Sequence, residues 1–304
     1  MSQWVVDAPR GRRAPRVSAG RSLRVVLLVA LAVFFGVPLL WLALAPSKLQ
    51  SELVALPALA FGDVANYARA WDHLMGFKDG LILGWAWNSV WYTVAALVIG
   101  LVISIPAGYA LATSRFRGRR LLLWLTLIAL IVPGSALVLP LFLEMSLVGL
   151  VGSPWAVILP TAFFPFGVYL AYVFYATSIP RDLLAAGRVD GCTEWQLFRF
   201  ICLPISKTLI GLLTFLSFSA NWNNYFLPFV MLNDDQSYTL AVGLQSLVTG
   251  TSMVSPSAIR GTSSLLKSPE GALMGLLMVL PVALVFIASQ RYVIRGALTG
   301  SVKE

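Results

Sequence analysis

Six stretches without Asp, Glu, Lys or Arg dominate this sequence, and each is long enough to cross a membrane. They lie at residues 25–45, 81–113, 121–143, 155–176, 208–232 and 271–289. A helix needs about 20 mostly apolar residues to span the hydrocarbon core of a bilayer. Only 12% of the 304 residues are charged, which leaves too little polar surface for a soluble body of this size. The pattern predicts an all-α membrane protein with six transmembrane helices.

The first stretch also has features of a cleaved signal peptide. A basic segment precedes it, and Ala43-Leu44-Ala45 resembles a cleavage site. However, the apolar run exceeds the roughly 7–15 residues of a signal-peptide core, and Pro46 follows directly. We interpret the stretch as a retained first transmembrane helix.

The distribution of Lys and Arg predicts the orientation, because these residues concentrate in cytoplasmic loops. If the N-terminus is inside, 17 of the 22 basic residues fall in inside segments. We therefore expect a basic cytoplasmic segment at 1–24, a six-helix transmembrane domain at 25–290 and a cytoplasmic tail at 291–304. The net charge of +9 is then a topology signal, and no nucleic-acid partner is expected.

The sequence lacks the motifs of several kinds of catalytic and binding site. No Lys follows a Gly, so the phosphate-binding G-x-x-x-x-G-K-[ST] loop is missing. His73 is the only histidine, which excludes His-x-x-x-His zinc chemistry. We expect no catalytic residue, no metal and no cofactor in this chain. Cys192 and Cys202, on the reducing side, are interpreted as small packing residues.

The segment 178–206, the largest internal cytoplasmic loop, predicts a helix, a turn and a second helix. Pro180 suits a first helical turn, Asp190-Gly191 is a turn pair, and Thr193 can cap a second helix that ends before Pro204. We expect the Asp190 carboxylate to accept backbone hydrogen bonds and fix the turn. We also expect Phe198 to be an exposed ring on a wet surface.

This loop resembles that of ABC importer permeases. The likeness rests on six residues, which are Asp190, Gly191, Phe198, Ile201, Leu203 and Pro204. In that family the loop forms coupling helices that dock into a groove of the ATP-hydrolysing subunit. The resemblance implies that the docking element runs from Ala186 to Phe198, with Ala186, Gly187, Asp190, Gly191 and Phe198 as its candidate residues. The family's Glu-Ala-Ala is replaced here by Ala185-Ala186-Gly187, so the acidic residue of that motif is absent.

Further segments resemble the carbohydrate branch of this family, in particular its second, maltose-type permease subunit. They are residues 104–112, 115–120, 131–134, 139–141, 221–228 and 290–296. The resemblance implies a multi-pass protein of the bacterial plasma membrane that moves a sugar or oligosaccharide. It also implies two ATP-binding subunits that carry ATP and Mg, a second permease subunit in a heterodimer and an extracytoplasmic solute-binding protein. An importer of the same architecture for peptides, amino acids or metals is the alternative, and a polytopic membrane enzyme is a remote one.

Polar residues inside the spans are candidates for function, because burying them in a membrane is costly. Asn221 and Asn224 are three residues apart and would share a helix face. They could line a translocation path and bind sugar hydroxyls, or they could form hydrogen bonds between helices. Proline residues in the spans predict kinks, which we interpret as structural.

Overall fold

The computed structural model describes residues 19–250 and 268–299, and this part of the chain is helical with short connections. The helices are α1 (Ala19–Leu44), α2 (Glu52–Ala55), α3 (Val64–Met75), α4 (Leu81–Thr113), α5 (Arg119–Ile131), α6 (Gly134–Leu147), α7 (Trp155–Ala162), α8 (Pro165–Ser178), α9 (Arg181–Val189), α10 (Glu194–Gln196), α11 (Leu203–Ile205), α12 (Lys207–Trp222), α13 (Phe226–Met231), α14 (Leu240–Gly250) and α15 (Ser268–Thr299). Short 3-10 helices lie at Ala45–Ser47, Phe77–Gly80 and Asp235–Ser237, and a π-helix lies at Leu197–Cys202. The all-α prediction is confirmed for the described residues.

Four helical stretches of the described part are long and apolar enough to cross a membrane. They are Leu23–Ser47, Phe77–Thr113, Trp155–Ser178 and Pro269–Tyr292. Two further candidates are bent, by 108° between α5 and α6 and by 76° between Glu194–Ile205 and α12. By length and composition, the described chain therefore has four candidate spans, or up to six if each bent pair is one span.

The helix predicted over residues 121–143 is wrong in one respect, because it breaks between α5 and α6. Pro133 has no N–H to donate to a preceding turn, and a proline disfavours helical angles in the residue before it. Val132 accordingly has φ −68° and ψ 120°, outside the helical region. The chain turns sharply there instead of continuing straight.

The helix predicted over residues 208–232 is also interrupted. It ends at Trp222, and α13 starts at Phe226. A continuous helix would place the ring of Pro228 against the carbonyl of Asn224 and would leave that carbonyl without a donor. The break at residues 223–225 avoids this conflict.

α4 is the central element of the bundle and contributes to three clusters of buried side chains. Its 33 residues extend about 50 Å at 1.5 Å per residue. Trp85 packs with Leu74, Trp222 and Met274 near one end. Tyr92 and Ala96 pack against α7 and α13, and Ile105 and Tyr109 pack against α8 and the segment 197–202. One helix thus connects both ends of the structure.

The contact between α4 and α8 depends on small residues. A Cβ atom at Gly108 would lie 2.3 Å from the Cβ of Ala171 and 2.7 Å from the backbone nitrogen of Tyr172. Small residues let helix backbones approach closely, and in membranes such close packing replaces the hydrophobic effect between helices. Gly108 therefore allows these two helices to approach closely.

The ends of the chain only partly follow the predicted division. α1 already begins at Ala19, and α15 passes residue 291 without a break and ends at Thr299. Residues 1–18 of the predicted N-terminal segment and 300–304 of the predicted tail lie outside the described residues.

Candidate functional site

The turn at Asp190-Gly191 is closed by the backbone. The N–H of Cys192 donates to the carbonyl of Gly187 at 2.9 Å, and the N–H of Gly191 donates to the carbonyl of Arg188 at 3.1 Å. These are the two bonds of a Schellman motif, which requires a left-handed residue after the helix. Gly191 supplies it with φ +82°.

The Asp190 carboxylate does not fix this turn, contrary to expectation. Asp190 instead donates its backbone N–H to the carbonyl of Ala186 at 2.9 Å. Its carboxylate makes no hydrogen bond with any residue that the structure describes. The backbone bonds already satisfy the helix end, so the side chain is left exposed to solvent.

Thr193 starts the second helical segment by a reciprocal cap. The N–H of Gln196 donates to the Thr193 hydroxyl oxygen at 3.3 Å, while the N–H of Thr193 donates to Gln196 Oε1 at 2.7 Å. This arrangement satisfies two donors that the first turn would otherwise leave free. The sequence predicted that this segment ends before Pro204. In the structure it continues to Ile205. Pro204 is the second residue of α11, which follows the π-helix directly.

The two helical segments of the loop are held together by packing and by one ion pair. A Cβ atom at Gly187 would lie 2.5 Å from Cδ2 of Leu197, so a glycine allows α9 to touch the second segment. Arg188 Nε donates to Glu194 Oε1 at 2.8 Å. This hydrogen bond raises the pKa of Arg188 above its ordinary value. The two helical segments of the loop therefore pack into one folded unit.

Sequence reasoning missed Glu194. Its carboxylate accepts from Arg188 and also from the hydroxyl of Tyr109 in α4, at 3.3 Å. A carboxylate is thus present in the loop although Ala185 replaces the glutamate of the family motif. The sequence signal was a basic and an acidic residue on either side of the Asp190-Gly191 turn.

Phe198 is buried, so the expectation of an exposed ring is wrong. Only 5% of Phe198 is exposed, and its ring centroid lies 5.1 Å from that of Tyr109. The neighbouring helix α8 supports the same cluster through Tyr175, whose hydroxyl lies 2.8 Å from the Ser206 hydroxyl. Phe198 therefore anchors the loop to α4 and α8.

Other apolar side chains of the loop are exposed. Trp195 is 63% exposed and Val189 is 86% exposed. They lie on either side of the Asp190-Gly191 turn. Among the predicted coupling residues, Ala186, Asp190 and Gly191 are exposed, while Gly187 and Phe198 are buried. The surface that could meet a partner is therefore formed by the turn, Ala186, Val189 and Trp195.

Asn221 and Asn224 do not share a helix face, because α12 ends between them. Asn221 Nδ2 donates to the Ser217 hydroxyl at 3.4 Å. Asn224 Oδ1 accepts the N–H of Leu227 at 3.4 Å, at the start of α13. The two amides therefore have separate local roles in this conformation.

Asn221 lines a small cavity together with several hydroxyl groups. Its volume is about 10 Å³, and its polar lining includes Ser89, Tyr92, Thr93, Thr161 and Thr239. This is about the volume that a single water requires. The cavity is polar, but it has no room for a larger solute in this conformation.

The fold is similar to that of a solved membrane-transport protein. The match is to a chain of a bacterial ABC transporter that is involved in the import of the acidic polysaccharide alginate. The TM-score is 0.76 at 20% sequence identity, and the match covers 94% of this chain and 99% of that chain. The helical bundle described above is therefore the fold of an ABC transporter chain.

Sequence comparisons identify the family. Residues 104–298 match the family described as "Binding-protein-dependent transport system inner membrane component". The chain is 32% identical over 292 residues to the arabinooligosaccharides transport system permease protein of Halalkalibacterium halodurans, covering 96% of this chain and 99% of the relative. The chain belongs to this family of inner membrane transport components and is a multi-pass membrane protein.

Two further relatives are similar over most of their length. The lactose transport system permease protein of Rhizobium radiobacter is 29% identical, with 91% of this chain and 94% of the relative covered. The diacetylchitobiose uptake system permease protein of Streptomyces coelicolor is 28% identical, with 91% and 86% covered.

Proposed function

We propose that this chain is the permease subunit of an ATP-driven importer for a sugar or oligosaccharide. The observation that carries this proposal is the nearly full-length similarity to the arabinooligosaccharide permease. The lactose and diacetylchitobiose relatives support the same solute class. The carbohydrates named for these relatives differ, so the proposal is limited to the class of solute.

The loop 178–206 is proposed as the element that couples this chain to an ATPase. Its two segments are held together by the Schellman turn, the Gly187–Leu197 contact and the Arg188–Glu194 pair. Val189 and Trp195 offer exposed apolar surface beside the turn. Exposed aromatic side chains commonly anchor protein interfaces.

The loop is also connected directly to the transmembrane core. Phe198 packs on Tyr109 of α4, and Glu194 accepts from the hydroxyl of Tyr109. A displacement of the loop by an ATPase would therefore act on α4 through contacts that already exist. This connection supports a role in transmitting movement into the bundle.

The remaining subunits belong to the same proposal. Two ATP-binding subunits would carry ATP and Mg, a second permease would complete a heterodimer, and an extracytoplasmic binding protein would deliver the solute. The Lys and Arg distribution supports a plasma-membrane chain with both termini and the loop 178–206 in the cytoplasm. The proposed segments 1–24, 25–290 and 291–304 describe the side of the membrane on which each part lies, and not the ends of helices.

Asn221 is proposed to line the translocation path in another conformation. It faces hydroxyl groups across a cavity that is too small for a sugar here. Separation of α4, α7 and α12 would enlarge this cavity, and its amide and hydroxyls could then bind sugar hydroxyls. Asn224, whose side-chain oxygen accepts the N–H of Leu227 at the start of α13, is assigned a structural role instead.

Uptake by the reconstituted complex tests the solute class. The complex and its binding protein would be placed in vesicles and offered labelled arabinooligosaccharides, lactose, diacetylchitobiose, a peptide and an amino acid. We expect ATP-dependent uptake of at least one carbohydrate. Uptake of the peptide or the amino acid alone would favour the alternative importer class.

Asn221→Leu tests the path, with Asn223→Leu as its control. Asn223 is exposed, and within the described residues its side chain bonds only to the carbonyl of Ser219 in α12. We expect Asn221→Leu to lower uptake at unchanged assembly, while Asn223→Leu has little effect. Loss of assembled complex in Asn221→Leu would show a structural role instead.

A further inference from the structure

A cavity with a basic lining opens between the α4–α5 connection and the start of α9. Its volume is about 670 Å³. Four arginines line it, namely Arg115, Arg119, Arg181 and Arg188. The one carboxylate in this lining is Glu194, which is already bound to Arg188. The other three arginines leave an excess of positive charge.

The guanidinium groups of these three arginines make few hydrogen bonds. Within residues 23–247 and 269–292, the guanidinium groups of Arg115 and Arg181 make no hydrogen bond or ion pair. Arg119 makes only a 3.4 Å hydrogen bond to the carbonyl of Ala112. The N-terminus of α5 adds to the positive potential, because its N-cap Gly118 offers no capping side chain. The cavity is therefore suited to an anion.

A second, more apolar cavity adjoins the first. Its volume is about 720 Å³, and it shares Arg119 and Tyr172 with the basic cavity. Its lining includes Arg120 and, further along α5, Leu123, Trp124 and Leu127, and α5 belongs to a candidate membrane span. Trp124 is 60% exposed, and tryptophan is enriched at the level of lipid headgroups. The second cavity is thus suited to an acyl chain.

We propose that the two cavities form one binding site for an anionic phospholipid. The phosphate would lie among Arg115, Arg119 and Arg181, and an acyl chain would lie beside α5. Inorganic phosphate could occupy the basic cavity but would leave the apolar one empty, which is why we assign a lipid. The placement of the lipid in the cytoplasmic leaflet rests on the proposed function. Its assignment as an anionic phospholipid rests on the lining of the two cavities instead.

Such a lipid would join α5 and α9, which both contribute an arginine to the basic cavity. Arg119 starts α5, and Arg181 starts α9. A phosphate bound by both would connect the membrane-spanning α5 to the loop that we propose for coupling. Basic pockets between membrane helices are established as sites for anionic headgroups in other proteins.

Native mass spectrometry of the full-length chain in detergent tests this site. Phosphatidylglycerol and phosphatidylcholine with the same acyl chains would be titrated separately. The variant Arg115→Gln/Arg119→Gln/Arg181→Gln removes three charges from the cavity. Its matched control, Arg117→Gln/Arg199→Gln/Lys207→Gln, removes three charges from residues that do not line either cavity. The single variant Arg181→Gln guards against misfolding of the triple variant.

We expect the parent chain and the control to retain phosphatidylglycerol in preference to phosphatidylcholine. The triple variant should lose at least about tenfold in apparent affinity, because it removes three charges that face the phosphate, and Arg181→Gln should lose part of it. Equal losses in variant and control would overturn the proposal. So would displacement of the lipid by millimolar inorganic phosphate, which would indicate a free-anion site.

The same variants separate this proposal from the proposed function. Lipid retention requires no ATPase and no solute, so a wrong solute class leaves the result unchanged. If the triple variant retains the lipid but fails to capture the ATPase, the arginines belong to the docking surface and the lipid site is wrong.

Discussion

Gly191 illustrates how a single backbone angle shapes the loop. A Cβ atom at this position would meet no atom within 4 Å, so a substitution is opposed only by φ +82°. Left-handed angles cost most residues roughly 1–2 kcal/mol, while asparagine tolerates them better.

Gly191→Val should therefore weaken co-purification of the ATPase without reducing the amount of chain in the membrane. Gly191→Asn should retain most of the capture, because it can keep the turn. Co-purification from membranes measures both quantities. Equal capture by Val, Asn and the parent would mean that the turn does not matter for docking.

Phe198 and Trp195 separate the core of the loop from its surface. Phe198→Ala should destabilise the chain by about 3–5 kcal/mol, the usual range for deleting a buried phenylalanine ring. Trp195→Ala should leave thermal unfolding in detergent nearly unchanged and lower ATPase capture. The assignment is contradicted if Phe198→Ala unfolds like the parent, or if Trp195→Ala captures the ATPase normally.

At the scale of single helices, the α4–α8 contact is sensitive to added volume at Gly108. Gly108→Ala should cost about 1–3 kcal/mol, since its new methyl group would meet Ala171 and the backbone of Tyr172. Gly84→Ala on the same helix is the control, because its Cβ would meet no atom within 4 Å. Thermal unfolding of the two purified variants measures the difference. Equal midpoints would refute the close contact.

Hydropathy located the membrane-spanning elements but not their internal breaks. Apolar side chains at 121–143 suit a straight span as well as a bent pair, so only the local restriction by Pro133 identifies the bend. The interruption after Trp222 likewise follows from Pro228. The prediction that Asn221 and Asn224 share a helix face did not take this proline into account. Proline marked the break at these two sites, but α4, α6 and α15 contain Pro106, Pro140 and Pro281 without a break.

The loop was less predictable than the spans, because its packing depends on contacts distant in sequence. The turn followed from Asp190-Gly191 and the cap from Thr193. Burial of Phe198 depends on Tyr109, some 90 residues earlier, and no local pattern indicates that distance. An aromatic residue in a polar loop was for this reason mistaken for a surface residue.

At the scale of the whole molecule, the orientation can be tested with two single cysteines. In a chain carrying Cys192→Ser and Cys202→Ala, Val54→Cys should react with a membrane-impermeant reagent in intact cells, and Val189→Cys should not. Both side chains are exposed, at 88% and 86%, so accessibility within the fold is matched. Both should react once the membrane is permeabilised. Equal reaction in intact cells would exclude the proposed topology.

The close contact of α4 with α7 has a mechanical consequence. A Cβ atom at Gly100 would lie 3.0 Å from the carbonyl oxygen of Ala162, so the backbones of the two helices lie close together at this point. At 1.5 Å per residue, Tyr109 lies about 13 Å from it on one side and Trp85 about 22 Å on the other. If α4 rotates as a rigid body about Gly100, a displacement of Tyr109 moves Trp85 in the opposite direction, about 1.7 times as far.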